Sequence, residues 1–205
     1  MKNTLLSLMV VTIIGGIGVS VDPAGAVVGD NIIFNMQVSP GAASCLPNAR
    51  GRVTINNVGP VENLHVEVSG LKPNTEYDLF LIQVPNTPFG LSWYQGDIVT
   101  NSIGRGIGGF VGRFSSETFI VAPGQAFVPA PVHAADALAG TKNPAITRPI
   151  HTFHLGLWFD SPTDAAAAGC PNTTTPFNGI HAAGIQVLNT GGFADTLGPL
   201  RNFKP

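Results

Sequence analysis

Apolar and polar residues alternate with a period of two over much of the chain beyond residue 30. Ile32, Phe34, Met36 and Val38 fall on one side, with Asn31, Asn35 and Gln37 on the other. Leu64, Val66 and Val68 likewise oppose His65, Glu67 and Ser69. This spacing predicts antiparallel strands with one face in a core and one in water. Between them, Arg52 to Val58 predicts a strand ending at the turn Asn57-Val58-Gly59-Pro60. Tyr77 to Val84 is apolar on both faces and reads as a central strand. Ile98 to Thr100 and Ile107 to Phe114 flank the turn-rich Asn101-Ser102-Ile103-Gly104, which predicts a hairpin. Thr118 to Val121 continues the series. Phe153, Leu155, Leu157 and Phe159 form one inward face, and Gly184 to Leu188 gives another short strand. The total of about eight to ten strands predicts an all-β fold, an antiparallel β-sandwich.

Two stretches break the pattern. Ser161-Pro162-Thr163-Asp164 places a capping hydroxyl, a proline at the first helical position and a carboxylate three residues after the cap; Ala165 to Ala168 follow, and Gly169 ends the turn. One short helix is predicted there, tied down by Cys170. Ala122 to Pro149 is Ala/Pro-rich and weakly patterned, about 28 residues that predict a long loop, either a lid or an ordered wrap.

Composition narrows the field of functions. Of 205 residues only 11% are charged, Lys and Arg numbering 10 and Asp and Glu 12, while 44% are hydrophobic. There is no cationic excess to neutralise phosphates, so nucleic acid is not an expected partner. Glycine (25) and proline (17) have no collagen period and read as turns. The outward positions are Asn, Gln, Thr, Ser and Gly, a surface with little long-range field that suits a neutral ligand, an envelope component or close self-association.

The N-terminus reads as a secretory signal peptide over residues 1–26, followed by a single domain over 27–205. Lys2 supplies the positive start, Leu5 to Val21 the apolar run, and Pro23-Ala24-Gly25-Ala26 a small-residue cleavage site. A retained membrane anchor is the alternative. The run is short, holds Gly15, Gly16 and Gly18 and lacks a basic stop-transfer flank, and no later stretch is long enough to span a bilayer. An exported chain with two cysteines predicts one disulfide, Cys45 to Cys170. No Cys-x-x-Cys pair is present to suggest redox chemistry or structural zinc.

The segment Val68-Ser69-Gly70-Leu71-Lys72-Pro73-Asn74-Thr75-Glu76-Tyr77 resembles the strand corner of fibronectin type III domains. That resemblance implies an Ig-like sandwich in which Leu71, Pro73 and Tyr77 form a structural corner, with the Tyr77 hydroxyl tied to the backbone. The same stretch looks like a segment of copper/zinc superoxide dismutases through Gly70, Leu71 and Pro73. The metal histidines of that family would fall on Leu79 and Leu81, so the likeness implies a Greek-key architecture without the metal or the activity. The chain, through Pro88 to Asp97, is also similar to uncharacterised secreted bacterial proteins, a likeness that carries no function with it.

Three groups of residues could bear chemistry. His151 and His154 form His-x-x-His, but residues three apart on a strand face opposite sides and cannot readily share an ion. His154 shares its face with Thr152, Trp158 and Asp160, so His154, Asp160 and His181 are the candidate metal or acid/base set, against a reading as hydrogen-bonded structural histidines. Trp93, Tyr94 and Trp158 are candidate ligand-stacking aromatics, against a reading as a second core layer. Asn172-Thr173-Thr174 is a glycosylation acceptor pattern. No nucleophile elbow or phosphate loop is present, Gly104-x-Gly106-x-Gly108-Gly109 lying within the expected hairpin. The expectation is a secreted, non-enzymatic module of the envelope or matrix, or one that binds a ligand, with no cofactor. Its rivals are a secreted metalloenzyme or hydrolase at His154, Asp160 and His181, and a self-assembling structural protein.

Overall fold

Strand β2 (Asn31–Val38) runs through the middle of the protein, and its burial alternates as the sequence pattern predicts. A computed structural model describes residues 26–28, 31–114, 152–176 and 182–202. Residues 1–25, the expected strand at Thr118 to Val121, the Ala122–Pro149 stretch, His151 and His181 lie outside them. In chain order the strands are β1 (Ala26–Val28), β2, β3 (Arg50–Val58), β4 (Val61–Ser69), β5 (Glu76–Ile82), β6 (Ser92–Val99), β7 (Gly106–Gly112) and β8 (His154–Phe159). The helix α1 (Pro162–Ala167) follows, then β9 (Thr175–Pro176), β10 (Ala182–Ala183) and β11 (Gln186–Asn189).

The fold is all-β and antiparallel. The strands join in the order β6-β5-β8-β11-β2-β3-β4-β7, with β1 paired to β2 and a separate β9–β10 pair. The path folds over at β2, which pairs along most of its length with β3 but at Gln37 and Val38 with β11. The two halves then face each other across one core. Phe34, Val53, Ile55, Leu64 and Val66 from one half meet Tyr77, Leu79, Leu155, Leu157 and Phe159 from the other. Each such side chain contributes about 1.5–3 kcal/mol when fully buried, so this shared face is the main source of stability.

Two local features follow the sequence signals. The Ser161 hydroxyl accepts from the Asp164 N–H at 3.1 Å and donates to the Asp164 carboxylate at 2.7 Å, and Gly169 closes the helix at φ +74°. Cys170, just beyond, is bonded to Cys45 with Cα atoms 5.2 Å apart, linking the helix to the chain between β2 and β3.

The connection at residues 101–105 differs from the expected hairpin. β6 and β7 sit at opposite ends of the strand order, and the turn carries the chain from one half of the sheet to the other. Asn101 organises it: its side-chain oxygen accepts from the Ile103 and Arg105 N–H groups at 3.1 and 3.0 Å. Gly104 takes φ +70°, and a Cβ there would collide with the Leu71 carbonyl, so glycine is required for the close passage. Turn residues between two strands signal reversal of the chain, but not whether the strands pair.

Candidate functional site

The chemistry of the described residues gathers on the outer face of the half-sheet β6-β5-β8-β11. Along β5, Tyr77, Leu79 and Leu81 point into the core, so Glu76, Asp78, Phe80 and Ile82 point out. Along β8, Trp158 and Asp160 share the outward side with His154. Ladder register places Asp97 of β6 directly opposite Asp78, and Tyr94 opposite Phe80. The face therefore has an acidic end and an aromatic end.

At the acidic end Asp78 is only 4% exposed and lies directly across the ladder from the exposed Asp97. Burial, with Asp160 and Asp97 adding negative charge nearby, pushes the Asp78 carboxyl up to about 7. Burial and the same two neighbours also raise Glu76. Tyr94 donates its hydroxyl proton to Asp97 at 2.5 Å. Asp160 continues the cluster past the end of β8, its N–H bonded to the Glu76 carbonyl at 3.3 Å. Among the described residues none of these carboxylates has an ion-pair partner.

The aromatic end is a small second core. Phe80, Ile82, Trp158 and Ala183 are buried together, with Phe89 packed on them. Trp158 meets Phe80 and Phe89 edge-on, at centroid separations of 5.4 and 5.0 Å. The loop carrying Phe89 is pinned by the Pro85 carbonyl, which accepts from the Gln186 and Asn189 side chains at 3.1 and 3.2 Å. Trp158 thus stands in a packed layer.

Trp93 and Tyr94 are about half exposed but do not form one platform. Successive strand residues face opposite sides: Tyr94 is paired with outward Phe80, and Trp93 with core-facing Leu81. Tyr94 alone stands beside the carboxylates, its ring 5.6 Å from Phe80.

The histidine set is not assembled. His154 and Asp160 lie at opposite ends of β8, roughly 20 Å apart along an extended strand. His154 is fully buried, with Nδ1 2.9 Å from the Thr190 hydroxyl and Nε2 3.2 Å from the Asp195 carbonyl. Both ring nitrogens therefore serve the fold. His181 lies outside the described residues, among which no group of three His, Cys, Asp or Glu could hold a metal ion.

The corner residues occupy a separate position. Tyr77 is buried against Phe159, and its hydroxyl accepts the Lys72 N–H at 3.0 Å. Thr100 clasps the same corner, accepting from the Thr75 N–H at 2.9 Å and donating to the Lys72 carbonyl at 2.7 Å.

Sequence reasoning passed over Asp78 and Asp97. One signal was present: an acidic residue inside a run apolar on both faces is a buried acid if the run is a central strand. Its partner could not be read, since Asp97 lies on another strand with a bulge between Leu79 and Phe80 shifting the register.

The fold and this face define a disulfide-linked all-β protein with an aromatic-flanked carboxyl pair. No protein-family model matches the chain, and no curated protein matches it.

Proposed function

We propose that this is a secreted, Ig-like β-sandwich module of the cell envelope or extracellular matrix that binds a neutral, polyhydroxylated ligand on the face formed by Tyr94, Asp97 and Glu76. One observation carries the reading: Tyr94 is half exposed and aligned with an accessible carboxylate on a rigid sheet face. A sugar ring offers an apolar face of C–H groups and a rim of hydroxyls. The tyrosine ring stacks on the first, and carboxylate oxygens accept from the second. The low charge of the chain and its disulfide support an extracellular partner without net charge.

Binding is favoured over hydrolysis by the same geometry. A glycosidase needs two carboxyl groups that both reach the scissile bond. Asp78, whose carboxyl is pushed up to about 7, is buried beside Asp97 and does not present itself to a substrate. Affinity electrophoresis through gels containing neutral polysaccharides tests the proposal: the wild-type protein should be retarded in at least one gel and Tyr94→Ala should not. Unretarded wild-type protein across a broad panel would contradict it.

A further inference from the structure

The opposite face of the protein carries the complementary charge. On the outer side of β3, Arg50 and Arg52 are two residues apart and share a face. Ladder register runs from Arg52 to Glu67 on β4 and on to Ile107 on β7, and Arg105 immediately precedes β7. These residues line an open groove of about 510 Å³. Glu67 pairs with His65 at 3.4 Å. The three guanidiniums have no ion-pair or side-chain hydrogen-bond partner among the described residues. Three arginines without a partner among the described residues are notable in one groove of a chain with only 10 Lys and Arg.

The other half-sheet presents Glu76, Asp97 and Asp160 on its own outer side, equally without ion-pair partners among the described residues. Each face also carries an exposed apolar side chain beside its charges: Ile107 in the groove, and Val99, the ladder partner of Glu76. One surface is thus basic with an apolar contact, and the other acidic with an apolar contact. They point away from each other on the two halves of a single fold.

We infer that the occupant of the arginine groove is the acidic face of a second copy of this chain, so that copies associate head to tail. The charge of each face is complementary to the other and repels itself, which disfavours a two-fold contact of either face with its own copy. A heterologous contact between faces on opposite sides leaves one of each free at the ends and extends into an open chain. The contact is dominated by exposed charges and is therefore weakened by salt. It uses Asp97 on one side, so a second copy and a ligand stacked on Tyr94 compete for that face.

Sedimentation velocity on the intact protein tests this. The wild type should form species larger than dimers at about 20 mM salt and return to monomers at about 500 mM, where screening is within a few ångströms. R50E/R52E should be monomeric at low salt because its groove is reversed, and E76K/D97K because its acidic face is. Mixed in equal amounts, the two variants are complementary both at their wild-type faces and at their reversed faces, and should re-form at low salt the assemblies that neither forms alone. That product also shows that both variants are folded. A wild type that stays monomeric at low salt, or variants that associate as the wild type does, would overturn the inference. So would monomeric wild type retained on a carboxylated polysaccharide resin through Arg50 and Arg52, which would make the occupant an anionic polymer instead. Because R50E/R52E leaves Tyr94 and Asp97 intact, its binding to neutral polysaccharide separates failure of this inference from failure of the proposed ligand site.

Discussion

Asp78 and Asp97 are ladder partners across β5 and β6, one buried and one exposed. Burial of one carboxyl beside other carboxylates favours its protonated form, and the Asp78 carboxyl is pushed up to about 7. The sheet therefore carries a titratable element whose state changes near neutral pH.

Stability should depend on pH in a defined direction. The Asp78 carboxyl rises from an ordinary value of 3.8 to about 7 in the folded protein, so between those values the folded state binds more protons than the unfolded state. The stability contributed by protonated Asp78 is fully present below about pH 4 and is lost as pH rises through about 7, a fall of roughly 2–4 kcal/mol. Urea denaturation from pH 4 to 8 should show that decline, and Asp78→Asn should remove most of it. A flat wild-type profile would show that the Asp78 carboxyl is not raised in the folded protein.

The corner hydrogen bond from Lys72 N–H to the Tyr77 hydroxyl is a single interaction at a buried ring. Tyr77→Phe keeps the ring and removes the acceptor, and should lower stability by about 1 kcal/mol. Thermal unfolding checks this; an unchanged midpoint would mean that water replaces the hydroxyl without loss.

The second core layer makes an opposite prediction for two aromatics that look alike in sequence. Gly156 is covered by the Trp158 ring, with which a Cβ at that position would collide. Gly156→Ala should therefore cost about 1–3 kcal/mol through overpacking, and Trp158→Ala about 3–5 kcal/mol through the cavity it leaves. Tyr94→Ala, at a half-exposed ring, should change stability by less than about 1 kcal/mol. If Trp158→Ala were as mild as Tyr94→Ala, the layer would not be a core.

Reduction of Cys45–Cys170 opens a loop of 125 residues in the unfolded chain. By the chain-entropy argument this bond contributes up to about 5 kcal/mol, so unfolding with and without reductant should differ by roughly 2–5 kcal/mol. Equal midpoints would show that the unfolded chain is already held together elsewhere.

How much of this was legible in the sequence follows from the range of each signal. Ile32, Phe34 and Met36, or Leu64, Val66 and Val68, announce their strands because alternation is a property of neighbouring residues. The Ser161–Asp164 cap is equally local. The disulfide followed from there being two cysteines to pair. Other relations depend on which strands become neighbours, and the sequence does not print that. Asn101 to Arg105 read as a hairpin but carries the chain between half-sheets. Asp78 meets Asp97 only through the β5–β6 register, and Arg105 reaches Arg50 and Arg52 only because β7 pairs with β4. His154 and Asp160 share a strand face, and that is what keeps them apart: the strand between them is extended.

The most direct test of the central claim is calorimetric titration of the protein with a neutral oligosaccharide taken from a gel that retards it. Wild type and Trp93→Ala should bind alike, since Trp93 faces away from Asp97. Tyr94→Ala should lose at least about tenfold in affinity, the factor that 1.4 kcal/mol represents. Equal affinity for wild type and Tyr94→Ala would contradict the assignment of this face as the binding site.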